Sequence, residues 1–160
     1  MNFREAHLSD IEQMMKVRLA VKENVLSNPA LITYQDNEEY LTLRGKGWVC
    51  EIENNIVGFA IADLIGNSIW ALFVDPKHQA KGIGKQLHHA LLDWYFNQTK
   101  EPIWLTTESN TRAEQFYKRS GWKETERKEK QPSNSLFPTY TDVKFEISYN
   151  DWQYIKQRNN

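Results

Sequence analysis

One stretch limits the folds open to this chain. An apolar run ends at Asp75-Pro76, a short segment with two glycines follows, and a helical pattern begins. Ile69 to Val74 reads Ile-Trp-Ala-Leu-Phe-Val, apolar and rich in β-branched and aromatic residues, the composition of a buried strand. Proline cannot donate to a sheet ladder, so Asp75-Pro76 closes that strand. From Ile83 the period changes: Ile83, Leu87, Ala90, Leu91, Trp94 and Tyr95 fall on one face of a helix. Between strand and helix lies Gln79-Ala80-Lys81-Gly82-Ile83-Gly84. Its glycines let the backbone turn tightly and approach a ligand closely. The first amides of the helix have no internal partners and carry the positive end of its dipole. Such a place suits a phosphate.

The spacing excludes two familiar phosphate loops. A Walker loop needs glycine, four residues, then Gly-Lys-Ser/Thr, but Gln79 holds the first place and Gln86 the last. A dinucleotide fingerprint needs a third glycine where Leu87 stands. What remains is Gln-x-x-Gly-x-Gly. Downstream comes Asn110-Thr111-Arg112-Ala113-Glu114-Gln115-Phe116-Tyr117-Lys118-Arg119-Ser120-Gly121-Trp122. In this order and separation, the two motifs resemble those of the GNAT acyl-CoA-dependent N-acetyltransferases. The resemblance covers residues 69–122 at the level of motifs and nearly the whole chain at the level of element order.

The resemblance implies an α/β fold with a mixed, mostly antiparallel sheet of about seven strands flanked by helices. It also implies that a parallel strand pair splays apart where the cofactor enters. The expected reaction moves an acetyl group from acetyl-CoA to a primary amine of a small molecule or peptide. The other class of reading is a non-catalytic acyl-CoA sensor or interaction module on the same fold. By resemblance, the backbone of Gln79, Ala80, Lys81, Gly82, Ile83, Gly84 and Lys85 holds the pyrophosphate. The backbone of Phe73 and Val74 pairs with the pantetheine arm. Asn110 falls where the family's asparagine meets the cofactor, and it equally suits a helix cap beside Thr111. Tyr117 falls at the family's usual acid for the departing thiolate, and it equally suits a core tyrosine with a satisfied hydroxyl. For the base, Glu108 is the leading candidate among Asp63, Asp75 and His78, with a water relay an equal alternative. Thr106 and Thr107 stand where some members carry a catalytic glutamate.

Taken in order, Asn2 to Ala6 reads as a first strand. Ser9-Asp10-Ile11-Glu12 reads as a capping box for a helix to about Lys22, with Ile11, Met14, Met15 and Leu19 inward. A second helix is expected from Gln35 or Asp36 to Gly45, with Tyr40, Leu41 and Leu43 inward. Gly47 to Glu53 alternates as a half-buried strand, Asn54-Asn55 suits a hairpin turn, and Ile56 to Leu64 returns. Gly66-Asn67 turns the chain into the strand at Ile69. Ile103 to Thr107 completes a strand–helix–strand crossover, which predicts a parallel pair. Thr111-x-x-Glu114 suits the cap of the next helix, and Gly121 its left-handed C-terminus. Trp122 to Lys128 and Thr141 to Tyr149 read as a closing antiparallel pair, and Asn150 as the cap of a terminal helix. The family's acceptor wall falls on the segment between the first two helices, where Arg18, Glu23, Asn24 and Tyr34 are candidates. The long 129–140 connection offers Phe137 and Tyr140. For each of these, a cap, a surface contact or an aromatic pin is the plain alternative.

Composition bounds the rest. At 160 residues the chain reads as a single domain, 1–160. A formal charge of −1 gives no basic surface for nucleic acid. Cys50 is the one cysteine, so no internal disulfide or cysteine zinc cluster can form. His88 and His89 lack a further ligand at metal spacing and read as ordinary helix residues, and no metal is expected. No apolar run approaches the ~20 residues of a membrane span, and Met-Asn-Phe-Arg-Glu does not open a signal peptide. A cytoplasmic enzyme is expected, with homodimers common in the family.

Overall fold

The computed structural model describes residues 1–21, 32–132 and 136–158. Its strands are β1 (Asn2–Glu5), β2 (Gly45–Ile52), β3 (Asn55–Asp63), β4 (Ser68–Val74), β5 (Ile103–Glu108), β6 (Lys123–Lys130) and β7 (Tyr140–Ile147). Its α-helices are α1 (Ile11–Ala20), α2 (Tyr34–Glu39), α3 (Ile83–Gln98), α4 (Arg112–Arg119) and α5 (Tyr149–Arg158). The fold is α/β, with a seven-stranded mixed sheet in the order β1-β2-β3-β4-β5-β7-β6 that contains one parallel pair. The described residues form two compact units, 1–21 with 32–99, and 100–132 with 136–158.

In the first unit, β1 to β4 form an antiparallel meander. Successive residues of a strand point to opposite faces. Phe59 and Ile61 of β3 meet Met14 and Val17 of α1, together with Val49 and Ala71. Gly58 faces the other way, and a Cβ there would stand 3.0 Å from Ile83 and 3.2 Å from Leu87 of α3. Helices therefore cover both faces, which is why Ile56 to Asp63 is buried throughout. The same cover corrects the reading of β2 as half-buried: Trp48, Val49 and Cys50 are all buried. Truncating a fully buried side chain such as Phe59 would cost about 3–5 kcal/mol.

Local signals were legible to within a residue or two. Asp10 caps a short turn, Leu8–Asp10, by accepting from the His7 amide at 2.7 Å, so the capping box starts at His7 rather than Ser9. Arg4 closes the arrangement with two bonds to Asp10, at 2.8 and 2.9 Å. Helix α1 stops at Ala20. It buries Ile11, Met14, Val17 and Arg18, whereas Leu19 is 59% exposed. Thr33 caps α2 through the Asp36 amide, and a π-helical turn, Tyr40–Arg44, carries the chain to Gly45 with Leu43 outward. The β2–β3 hairpin turns on Glu53 and Asn54, both at positive φ, one residue earlier than Asn54-Asn55. Between β3 and β4, Ile61 faces Ala71 and Ala62 faces Ile69, so Trp70 is the extra residue of a bulge.

The second unit is a three-stranded antiparallel set, β5-β7-β6, with α4 and α5. Strand β7 alternates cleanly, burying Val143, Phe145 and Ile147. Strand β6 is exposed along its whole length, in keeping with its alternating Lys and Glu.

Candidate functional site

The first unit carries the residues expected to meet phosphate, Gln79 to Lys85, as one continuous segment. Asp75 caps a short turn, Pro76–His78, by accepting from the Lys77 amide at 2.9 Å. Gln79 is extended, Ala80 lies at φ +64°, and Gly82 is the N-cap of α3 at φ +80°. Two left-handed residues within three turn the chain sharply back into the helix. Ala80 accepts this geometry despite its Cβ, at a cost that glycine avoids. A side chain at Gly82 would meet nothing within 4 Å, so the space beside the loop is open. The first helical hydrogen bond runs from the Gln86 amide to the Gly82 carbonyl. The amides of Ile83, Gly84 and Lys85 therefore precede the ladder at the positive end of a 16-residue helix. Phe73 and Val74 end β4 just before this loop, both half-buried.

The second unit holds the other motif on the β5–α4 connection. Glu108 ends β5 buried, opposite Asp142 of β7. Asn110 is exposed and left-handed, at φ +60°. Its amide donates to Glu114 at 2.9 Å, while Thr111 caps α4 through the Glu114 amide at 3.2 Å and donates to the Glu108 carbonyl at 2.8 Å. Glu114 is 3% exposed and also takes Lys118 at 2.8 Å and Arg127 at 3.2 Å. The Lys118 bond, the Asn110 amide and then Arg127 hold its carboxyl down at about 2. Sequence reasoning saw Glu114 only as part of a cap. In the structure it is the anchor of the turn that carries Asn110. Helix α4 ends in a Schellman motif: Gly121 at φ +91° donates to Lys118, and Trp122 to Tyr117. Tyr117 is buried against Phe116, Trp122 and Phe145, and burial pushes its phenol above its ordinary range. It stays protonated at neutral pH.

The expected acceptor residues divide. Glu23 and Asn24 lie outside the described residues. Tyr34 opens α2, is 42% exposed and donates to the Leu8 carbonyl at 3.4 Å. Phe137 is exposed, and Tyr140 begins β7 opposite Lys130. Arg18 is buried among Phe59, Trp70 and Phe73.

Two of the base candidates serve local structure. Asp63 bonds Arg44 at 2.8 Å and the Gly66 amide at 3.0 Å, which fixes the β3–β4 turn. Asp75 is the cap already described, and His78 lies 3.3 Å from the Lys81 ammonium. His88, read as an ordinary helix residue, is 4% exposed, and burial pushes its imidazole down to about 3, so it is neutral. Among the described residues no cluster of His, Cys, Asp and Glu has metal-binding geometry. No described helix is long and apolar enough to cross a membrane.

Solved structures share this architecture. The ribosomal-protein-S18-alanine N-acetyltransferase of Escherichia coli aligns with a TM-score of 0.77 at 15% identity, over 92% of this chain and 93% of that one. An N-acetyltransferase from Staphylococcus aureus Mu50 aligns at 0.78 and 14%, over 92% and 98%. The yncA protein of Salmonella typhimurium, solved with its cofactor acetyl-CoA, aligns at 0.76 and 18%, over 93% and 94%. Comparison with curated protein sequences gives no match. The sequence pattern of the acetyltransferase (GNAT) family matches residues 11–122, more than half the chain and inclusive of both motifs, and the chain belongs to that family.

Proposed function

We propose that this chain works as one acetyl-CoA-dependent N-acetyltransferase domain, moving an acetyl group to a primary amine of a small molecule or peptide. The observation that carries this reading is the loop from Gln79 to Gly84. It places two left-handed residues and an open flank directly before the unladdered amides of α3. These donors suit a pyrophosphate, and charge-assisted bonds from them are stronger than neutral ones. The acetyl-CoA in the Salmonella typhimurium neighbour supports this choice of cosubstrate. Bound there, acetyl-CoA supplies an activated thioester.

The protein's part is holding, orientation and proton movement. The amides of Gln79 to Lys85 hold the pyrophosphate. The backbone of Phe73 and Val74 would line the acyl arm, and its amides would supply a donor for the thioester oxygen. Asn110, fixed by Glu114, contacts the cofactor. Tyr117 would supply the proton that the thiol product needs. Glu108, or water, takes the proton that the amine must lose.

The test is thiol release from acetyl-CoA across polyamines, aminoglycosides, amino acids and peptides, with coenzyme A affinity measured calorimetrically alongside. Turnover with at least one amine is expected. Tight coenzyme A binding without release for any amine would make the chain a binding module instead.

A further inference from the structure

Arg18 is charged and 7% exposed on α1. Its guanidinium carbon lies 4.8 Å from the centroid of a Trp70 ring, 4.9 Å from Phe73 and 5.7 Å from Phe59. The β4 bulge supplies Trp70, and Tyr40 stacks on it at 4.0 Å with the planes 10° apart. Aromatic faces attract a cation, but they cannot accept hydrogen bonds in the guanidinium plane. Among the described residues, Nε and Nη2 are buried without a hydrogen-bond partner. Burial lowers the group to about 10, against the opposing charge of Asp36, so it remains a cation at neutral pH. Asp36 is itself engaged, accepting from the Thr33 amide at 2.8 Å.

A buried charge with idle donors is costly unless something else completes it. The two idle donors have a definite geometry. Nε and Nη2 share one edge of the guanidinium and point in parallel, the fork that pairs with both oxygens of a carboxylate. A planar, singly charged group matches the two parallel donors of such an edge, whereas a tetrahedral phosphate would want further donors around it. Trp70, Phe73 and Tyr40 are only half-buried, so the rim of the aromatic box reaches solvent. Phe73, whose ring touches the guanidinium, is also one of the two β4 residues assigned to the acyl arm.

We propose that the Nε–Nη2 edge of Arg18 receives a carboxylate carried by the acceptor, so that the substrate class is amines bearing a carboxylate, of the amino-acid or short-peptide type. This rests on the N-acetyltransferase reading and narrows it.

The experiment compares thiol release for amino acids and dipeptides with that for their carboxamides, which keep the same amine. For the preferred acceptor, kcat/KM should fall about 10²-fold in the amide, the scale of a lost charge-assisted pair. Arg18→Met should abolish this preference through a raised KM for the acid, with coenzyme A affinity retained. Its Tm should not drop, because the substitution relieves a buried, unpaired charge. Arg18→Lys keeps the charge without the fork and should restore only part of the preference; it also serves as the test variant if Arg18→Met does not fold. Equal rates for acids and amides, or a preference that survives in the variants, would overturn the role of Arg18 while leaving the enzyme intact. Intact coenzyme A binding with no release from either panel would sink the acetyltransferase reading itself, and this inference with it.

Discussion

Glu114→Gln isolates one charge at the turn that carries Asn110. The substitution keeps size and an acceptor oxygen, so the Asn110 amide can still be bonded while the attraction to Lys118 and Arg127 is lost. The Glu114 carboxyl is held at about 2 against an ordinary 4.5. At about 1.4 kcal/mol per pH unit, that difference amounts to about 3 kcal/mol for the charged state. Lys118 and Arg127 are 45% and 39% exposed, so water screens both partners. About 1–2 kcal/mol should then reach the folding equilibrium. The sign follows from linkage: a carboxyl depressed in the folded state contributes fully above its unfolded value. That contribution is lost as pH falls from about 4.5 towards 2. Urea unfolding of wild type and variant at pH 7 should differ by that amount, and the gap should shrink at pH 3.5. A gap that is absent at pH 7, or unchanged at pH 3.5, would refute the assignment of Glu114 as a charged anchor.

Three further outcomes are expected. Gly84→Glu should fold normally, since an acidic residue suits the first turn of α3, yet lose coenzyme A binding by tenfold or more through repulsion and blockage; undiminished calorimetric affinity would remove the loop from the site. Tyr117→Phe keeps the packing against Trp122 and Phe145, so stability should change by no more than ~0.5–1.5 kcal/mol. Its kcat should fall about 10²-fold at nearly constant coenzyme A affinity, and a near-wild-type kcat would leave Tyr117 as a core residue. Tyr140→Ala should raise the KM of the acceptor more than that of acetyl-CoA, and equal effects on both would take the 129–140 connection out of the acceptor wall.

The elements whose cause is local were legible in the sequence. The glycine loop, the cap at Thr111 and the stop at Gly121 each depend on a few neighbouring residues, and each appears where the spacing put it. Features that depend on distant chain were not. The inward face of α1 was read from hydropathy, which favours Leu19 over Arg18. The reverse holds because three aromatic rings from β3 and β4 create a place for a cation, and one of them arrives through a bulge. Glu114 shows the same limit. The Thr-x-x-Glu spacing announced a cap, but nothing nearby announced that Arg127 of β6 would return to the same carboxylate. The alternation in β2 predicted one wet face, because a strand does not record whether its second face will be covered.

The glycine at position 58 sets a mechanical tolerance. It touches no expected ligand, yet α3 seats on it through Ile83 and Leu87, the first of which is also the first residue of the helix. The loop's amides are thus mounted on a rigid strut whose stand-off from the sheet is the thickness of a missing side chain. A methyl group there would act as a shim, displacing the helix end by a few tenths of an ångström. Changes at this contact would therefore be read out at the loop proposed to hold phosphate as altered aim, so the accuracy of the loop is inherited from the core beneath it.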